Sequence, residues 1–257
     1  MARSTQPADP TRRTALVAGI LYLLTFIGSI PGALLMDPVL TDPNYVAGPG
    51  ASTQIGIAAV FEMINALAAI GTAVAVFSVV KREHEGLAIG FVATRLFEAG
   101  VIAVGIVSIL AVSSVQQAVA AGADATTALP VAGALVAVRH WAMVIGPNMA
   151  AFNALMFGTL LFRAHLVPRA IPALGLIGAP LLISWVAGAI VGITEANTPW
   201  HLVATMPFFF WELAVGLWMT FKGFNRTAPI VAEAMAATAS ADRVATSVTF
   251  STKAGVA

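Results

Sequence analysis

LAIGFVATRLFEAGVIAVGIVSILAVS, residues 87–113, decides how this chain folds. The run is long enough to cross about 30 Å of hydrocarbon as a helix rising about 1.5 Å per residue. It is continuous rather than alternating, and it far exceeds the roughly 10 residues that a barrel strand needs. Its only charges are Arg95 and Glu98, which at a spacing of i, i+3 share one helix face. Ionised groups are costly in lipid, so both are expected to face a bundle interior and to be paired, with each other or with Glu62.

Outward from this segment the pattern repeats. Apolar spans cover residues 14–36, 54–80, 136–162, 172–194 and 200–221, making six with 87–113. Of the 257 residues 59% are hydrophobic and 10% charged, against roughly 25% charged in a soluble domain. Lipid offers the backbone no hydrogen-bond partners, so helices must satisfy it internally. The sequence predicts an all-α, polytopic membrane protein: a six-transmembrane-helix bundle over residues 14–226. A polar N-terminal tail (1–13) precedes it, and an Ala/Thr/Ser-rich tail (227–257), read as disordered, follows.

The joints between spans are readable by composition. DPVLTDPNYVAGPGAST (37–53), KREHEG (81–86), residues 114–130, RAHLVPRAIP (163–172) and EANTP (195–199) read as loops or turns. Lys and Arg gather at alternate joints: Arg3, Arg12 and Arg13, then Lys81 and Arg82, then Arg163 and Arg169, then Lys222 and Arg226. The joints after the first and fifth spans carry none, and none follows the third span until Arg139. This alternation predicts that both termini are cytoplasmic. The basic start of the first span has the look of a signal peptide, and the pair Arg12–Arg13 that of a twin-arginine signal. Its apolar run exceeds a typical signal core and its removal would spoil the alternation, so it reads as an anchor.

Three carboxylates lie in the apolar zone: Glu62, Glu98 and Glu212. Asn65 follows Glu62 on the same face. His201, Thr205, Phe208 and Glu212 recur at helical spacing, placing Glu212 about 16 Å deeper than His201. Arg139 and His140 are expected near the outer face at the start of span four. GPN (146–148) adds a kink at Pro147 and a polar group at Asn148. Asn148 and Asn153 lie five apart and are expected on different faces. The candidate intramembrane polar site is therefore Glu62, Asn65, Arg95, Glu98, Arg139, His140, Asn148, His201 and Glu212. Arg95 is the one cation placed with certainty at that depth. Three carboxylates meeting there would hold a proton among them, because burial disfavours charge. Proton relays have that composition, and so do structural hydrogen-bond networks.

The chain has no Cys, which excludes disulfides, a thiol nucleophile and a Cys metal site. GxxxxGK[ST], HExxH, GxSxG and a helix-leading GxGxxG are all missing. No cofactor, catalytic residue or metal site is expected, and EHE (83–85) reads as a solvated turn. The expected partners are the lipid bilayer and either another membrane protein or a second copy; nucleic acid is not expected. GxxxG at 28–32, 86–90 and 188–192 predicts close helix packing.

RRTALVAGILYLLTFIGSIPGALL, DPVLTDPNYVAGPGAST, EGLAIGFVATRLFEAG, RHWAMVIGPN, LVPRAIPALGLIGAPLL and WELAVGLWMTFKGFN together resemble one family of bacterial integral membrane proteins. That family is known only as domain of unknown function 4386, and the resemblance covers residues 12–226. It implies a multi-pass protein of a bacterial inner membrane and points to Arg95, Glu98, Arg139, Pro147 and Glu212 as positions to examine first. It implies no activity and no substrate. Two functions are expected ahead of others: a small-solute or proton-coupled transporter, and a structural or regulatory protein that binds another membrane protein or senses lipid. An intramembrane enzyme ranks last, because the spacing of Glu and His gives it no support.

Overall fold

Six helical segments are long and apolar enough to cross a membrane. The computed structural model describes residues 9–41, 52–194 and 198–254, and among these there is no strand. The spans are α1 (Arg12–Thr41), α2 (Ser52–Val80), α3 (Glu85–Ala120), a composite fourth, α7 (Ala170–Ile190) and α8 (Pro199–Phe221). The fourth runs through α4 (Ala125–Ile145), a 3-10 turn (Pro147–Met149), α5 (Ala150–Asn153), a π turn (Ala154–Gly158) and α6 (Thr159–Arg163). A further helix, α9 (Pro229–Ala254), follows.

The spans run up and down, so the start of α1, the turns at 81–84 and 164–169 and the end of α8 share one end, here the proximal end. Side chains tie it together. Arg12 donates to the carbonyls of Met219 and Thr220 at 3.3 and 2.8 Å, placing a cation at the negative end of the α8 dipole. Arg163 pairs with Glu83 at 3.3 Å, and the Asn225 N–H donates to the Leu166 carbonyl at 2.8 Å. His84 belongs to this end as a helix cap: its Nδ1 accepts from the Leu87 N–H at the start of α3.

Helix order follows the chain: α1 packs on α2, α2 on α3, α3 on α4, α7 on α8, and α8 back on α1. The lower half of span four, from α5 to α6, fills the space between α3 and α7. Lipid is as apolar as leucine, so helices associate through close packing rather than hydrophobic burial. GSIPG (28–32) supplies that at the α1–α2 contact. A Cβ on Gly28 would lie 2.6 Å from both the Asn65 nitrogen and the Phe61 carbonyl oxygen. Toward the proximal end the core is aromatic: Phe157 stacks on Phe91 at 4.7 Å and on Tyr22 at 6.1 Å.

Three features depart from the sequence reading. Residues 114–130, read as a loop, are mostly helix. α3 continues to Ala120, turns through Gly122 at φ +101°, and α4 begins at Ala125. Glycine takes that left-handed conformation without a steric penalty. Asp124 caps α4 by accepting from the Thr126 N–H at 3.0 Å, and the Thr126 hydroxyl and N–H hold its carboxyl below the usual carboxylate range. Pro130 lies inside the helix, at its sixth residue, where its missing N–H leaves the Thr126 carbonyl without the usual intrahelical donor. Next, the tail read as disordered forms α9, which opens with Pro229 and docks Ile230, Val231 and Ala234 against the proximal end. Alanine content and a proline at the first position favour that helix. Finally, span four is broken rather than kinked.

Candidate functional site

Two clusters of buried charge lie inside the bundle. The first is set by α3. Arg95 and Glu98 project from one face, and Arg95 Nη1 donates to Glu98 Oε2 at 3.1 Å. From α8, Glu212 Oε1 accepts from Arg95 Nη2 at 2.8 Å. From α5, the Asn153 amide donates to Glu98 Oε2 at 2.5 Å. The guanidinium carbon lies 5.1 Å from the Tyr22 ring centroid and 5.7 Å from that of Phe91, so the aromatic layer beneath adds cation–π attraction. Arg95 is only 1% exposed. Two carboxylates share one guanidinium here: with both ionised the cluster carries one negative charge in excess, and with one protonated it is balanced.

The second cluster is balanced. Arg139 of α4 forks onto Glu62 of α2: Nη1 donates to Oε2 at 2.6 Å and Nη2 to Oε1. This is the planar bidentate geometry that favours arginine over lysine. Glu62 therefore does not meet Glu98 and Glu212, and of the two pairings open to Arg95 the one with Glu98 forms and the one with Glu62 does not. The reason is Arg139. It sits fourteen positions into α4 and is 2% exposed, not at the outer rim, so the zone holds a second cation.

The remaining expected residues divide. Asn65 and Asn148 border a cavity of about 200 Å³ above the first cluster, together with Glu98 and Glu212. His140 is exposed, its ring edge-on to Trp141 at 5.4 Å. His201 stacks on Trp185 at 4.2 Å and does not border the cavity, although Thr205, Phe208 and Glu212 of its helical stripe do. Asn148 and Asn153 do act on different sides, as their spacing implies. Asn148 faces the cavity while its amide donates to the Val144 carbonyl at 2.8 Å. Asn153 lies behind Glu98 and also accepts from the Thr94 hydroxyl. The Asn148 side chain thus replaces a backbone donor lost where the helix breaks.

Sequence reasoning missed the α1 wall. Tyr22, Thr25 and Ser29 recur at +3 and +4, a helical stripe ending at the cavity, where Thr25 and Ser29 form part of its lining. The stripe was legible, but α1 read only as an anchor. Ser29, Asn65 and Pro147 also border a second cavity of about 760 Å³, which contains the Glu62–Arg139 pair. That cavity reaches Asp37 and Leu40, both exposed and close to the distal end of α1. The two cavities thus share Ser29, Asn65 and Pro147 in their walls, with Glu62–Arg139 bordering one and Arg95, Glu98 and Glu212 the other.

A family profile described as domain of unknown function (DUF4386) matches residues 17–223. The chain belongs to this family. No curated protein and no solved structure matches the chain. For this DUF4386 chain the match covers both charge clusters and the broken span, and it leaves α9 outside.

Proposed function

We propose that this protein is a small-solute or proton-coupled transporter of a bacterial inner membrane, with its cavity facing outward at the distal end. One observation carries this reading: the Arg95–Glu98–Glu212 cluster, two carboxylates on one guanidinium, borders a cavity that shares Ser29, Asn65 and Pro147 with a second cavity reaching the distal end of α1. A purely structural clamp would be charge-balanced and dry. Burying net charge is expensive, and a protein retains such a group where its charge changes during function. The broken span beside the cluster adds support, because transporter sites use interrupted helices, and π turns gather at functional sites.

The alternative is a structural or regulatory membrane protein, and the Glu62–Arg139 pair favours it, being balanced and bidentate. The two readings separate in liposomes containing the purified protein and a trapped pH-sensitive dye. A potassium gradient with valinomycin imposes a membrane potential. Wild type is expected to move protons faster than empty liposomes, and Glu98→Gln and Glu212→Gln are expected to fall to the empty rate. Equal rates for wild type and empty liposomes would leave the structural reading in place.

A further inference from the structure

We infer that the 200 Å³ cavity is the seat of a small organic ammonium ion, with its charge on Glu212 Oε2 and its carbon skeleton against Phe26, Phe208 and Phe209. This rests on the transporter reading and specifies its substrate class.

Three observations select that chemistry. The first is charge. Glu98 has both oxygens engaged, by Arg95 and by Asn153. Glu212 uses only Oε1, on Arg95; its Oε2 accepts no hydrogen bond among the described residues, and its side chain keeps 12% exposure, toward the cavity. The second carboxylate on this guanidinium therefore keeps a free acceptor at a defined atom, and a bound cation would favour its ionised form. An anion would meet two carboxylates and an arginine already shared between them.

The second observation is the lining. Phe26 and Phe209 meet edge-to-face at 5.3 Å, and with Phe208 they border the same space as Glu212. Ammonium groups are recognised by a carboxylate together with aromatic faces. The Thr205 hydroxyl also borders the cavity and has no partner among the described residues, which leaves it able to accept a second N–H. Calcium or magnesium takes six or more oxygen ligands, and this lining supplies one free carboxylate oxygen; among the described residues no group of three or more His, Cys, Asp or Glu could hold another metal.

The third is size. A cavity of about 150 Å³ holds benzene, so about 200 Å³ admits a six-membered ring with a one-carbon ammonium arm. A proton or a sodium ion would leave most of that space empty.

The test uses the full chain in detergent and follows thermal unfolding with benzylammonium chloride, benzyl alcohol, or sodium chloride at matched ionic strength. Benzylammonium at saturation is expected to raise the wild-type Tm by about 5 °C, with little change from the alcohol or the salt. Glu212→Gln removes the excess charge and keeps the Arg95–Glu98 pair; it is expected to lose the response. Thr205→Leu fills part of the seat, leaves all three charges in place, and is expected to lose it too. An equal response to benzyl alcohol, no response in wild type, or a response that survives in both variants overturns the ammonium seat. The liposome assay is independent. Proton movement without a benzylammonium response sinks the ammonium and keeps the transporter; a benzylammonium response without proton movement does the reverse for the proton-coupled reading.

Discussion

Arg139 serves one carboxylate and Arg95 serves two, and the difference predicts how each cluster responds to mutation. Removing one partner of a buried pair leaves an uncompensated charge and costs about 3–5 kcal/mol. Glu62→Gln and Arg139→Gln are each expected to lower the Tm strongly, and the double mutant is expected to recover much of the loss, as a thermal-unfolding cycle would reveal. Arg95→Gln is expected to be worse than either, since it strands both Glu98 and Glu212. Glu212→Gln should be neutral or stabilising, because a balanced pair remains. A large loss in Glu212→Gln would mean that the excess charge is compensated by something fixed. The sequence offered the Arg95–Glu98 pair as one of two readings, beside a pairing with Glu62, because both lie on one turn of one helix. It did not disclose Glu212 or Arg139 as partners. Those contacts span 117 and 77 positions, and only the helix order creates them.

At the scale of elements, the six apolar runs were legible because length and hydropathy suffice to mark a membrane span. Their ends were less so. Pro130 and the polar residues near it read as a loop, yet the helix, capped by Asp124, continues through the proline at the loss of one backbone hydrogen bond. That one misreading put Arg139 at the rim and hid its pairing with Glu62. Span four was marked as kinked by GPN, but the break is larger than a kink. Pro147 lacks an N–H, Asn148 covers the Val144 carbonyl with its side chain, and a π turn follows at Ala154–Gly158. Together these aim Asn148 at the cavity and Asn153 at Glu98. Pro147→Ala restores a backbone donor and favours a continuous helix, which would rotate the two asparagines away from those positions. Its Tm is expected to be unchanged or higher while proton movement in liposomes falls by about tenfold, a stability gain at the expense of activity. Full activity in this variant would show that the break is incidental.

At the scale of the whole molecule, the cavity is useful only if its distal mouth faces the right compartment. Arg12, Arg13, Lys81, Arg82, Arg163, Arg169, Lys222 and Arg226 all lie at the proximal end, whereas the connections after α1, α3 and α7 contain no Lys or Arg before Arg139. Lysine and arginine beside short loops are held on the cytoplasmic side, so the proximal end is predicted to be cytoplasmic and the mouth beside Asp37 and Leu40 to face out. The chain is free of cysteine, which makes the check direct. Ala123→Cys sits in the α3–α4 turn at the distal end, and Arg82→Cys in the α2–α3 turn at the proximal end. In intact cells with a permeable outer envelope, a membrane-impermeant maleimide is expected to label Ala123→Cys at once and Arg82→Cys only after lysis. Ser29→Cys reports on the cavities themselves, because it borders both. A small water-soluble thiol reagent added outside should reach it, and benzylammonium should slow the reaction in proportion to its occupancy. Labelling of Arg82→Cys before lysis would invert the protein and turn the cavity toward the cytoplasm. The charge clusters would stand, and the direction of transport would reverse.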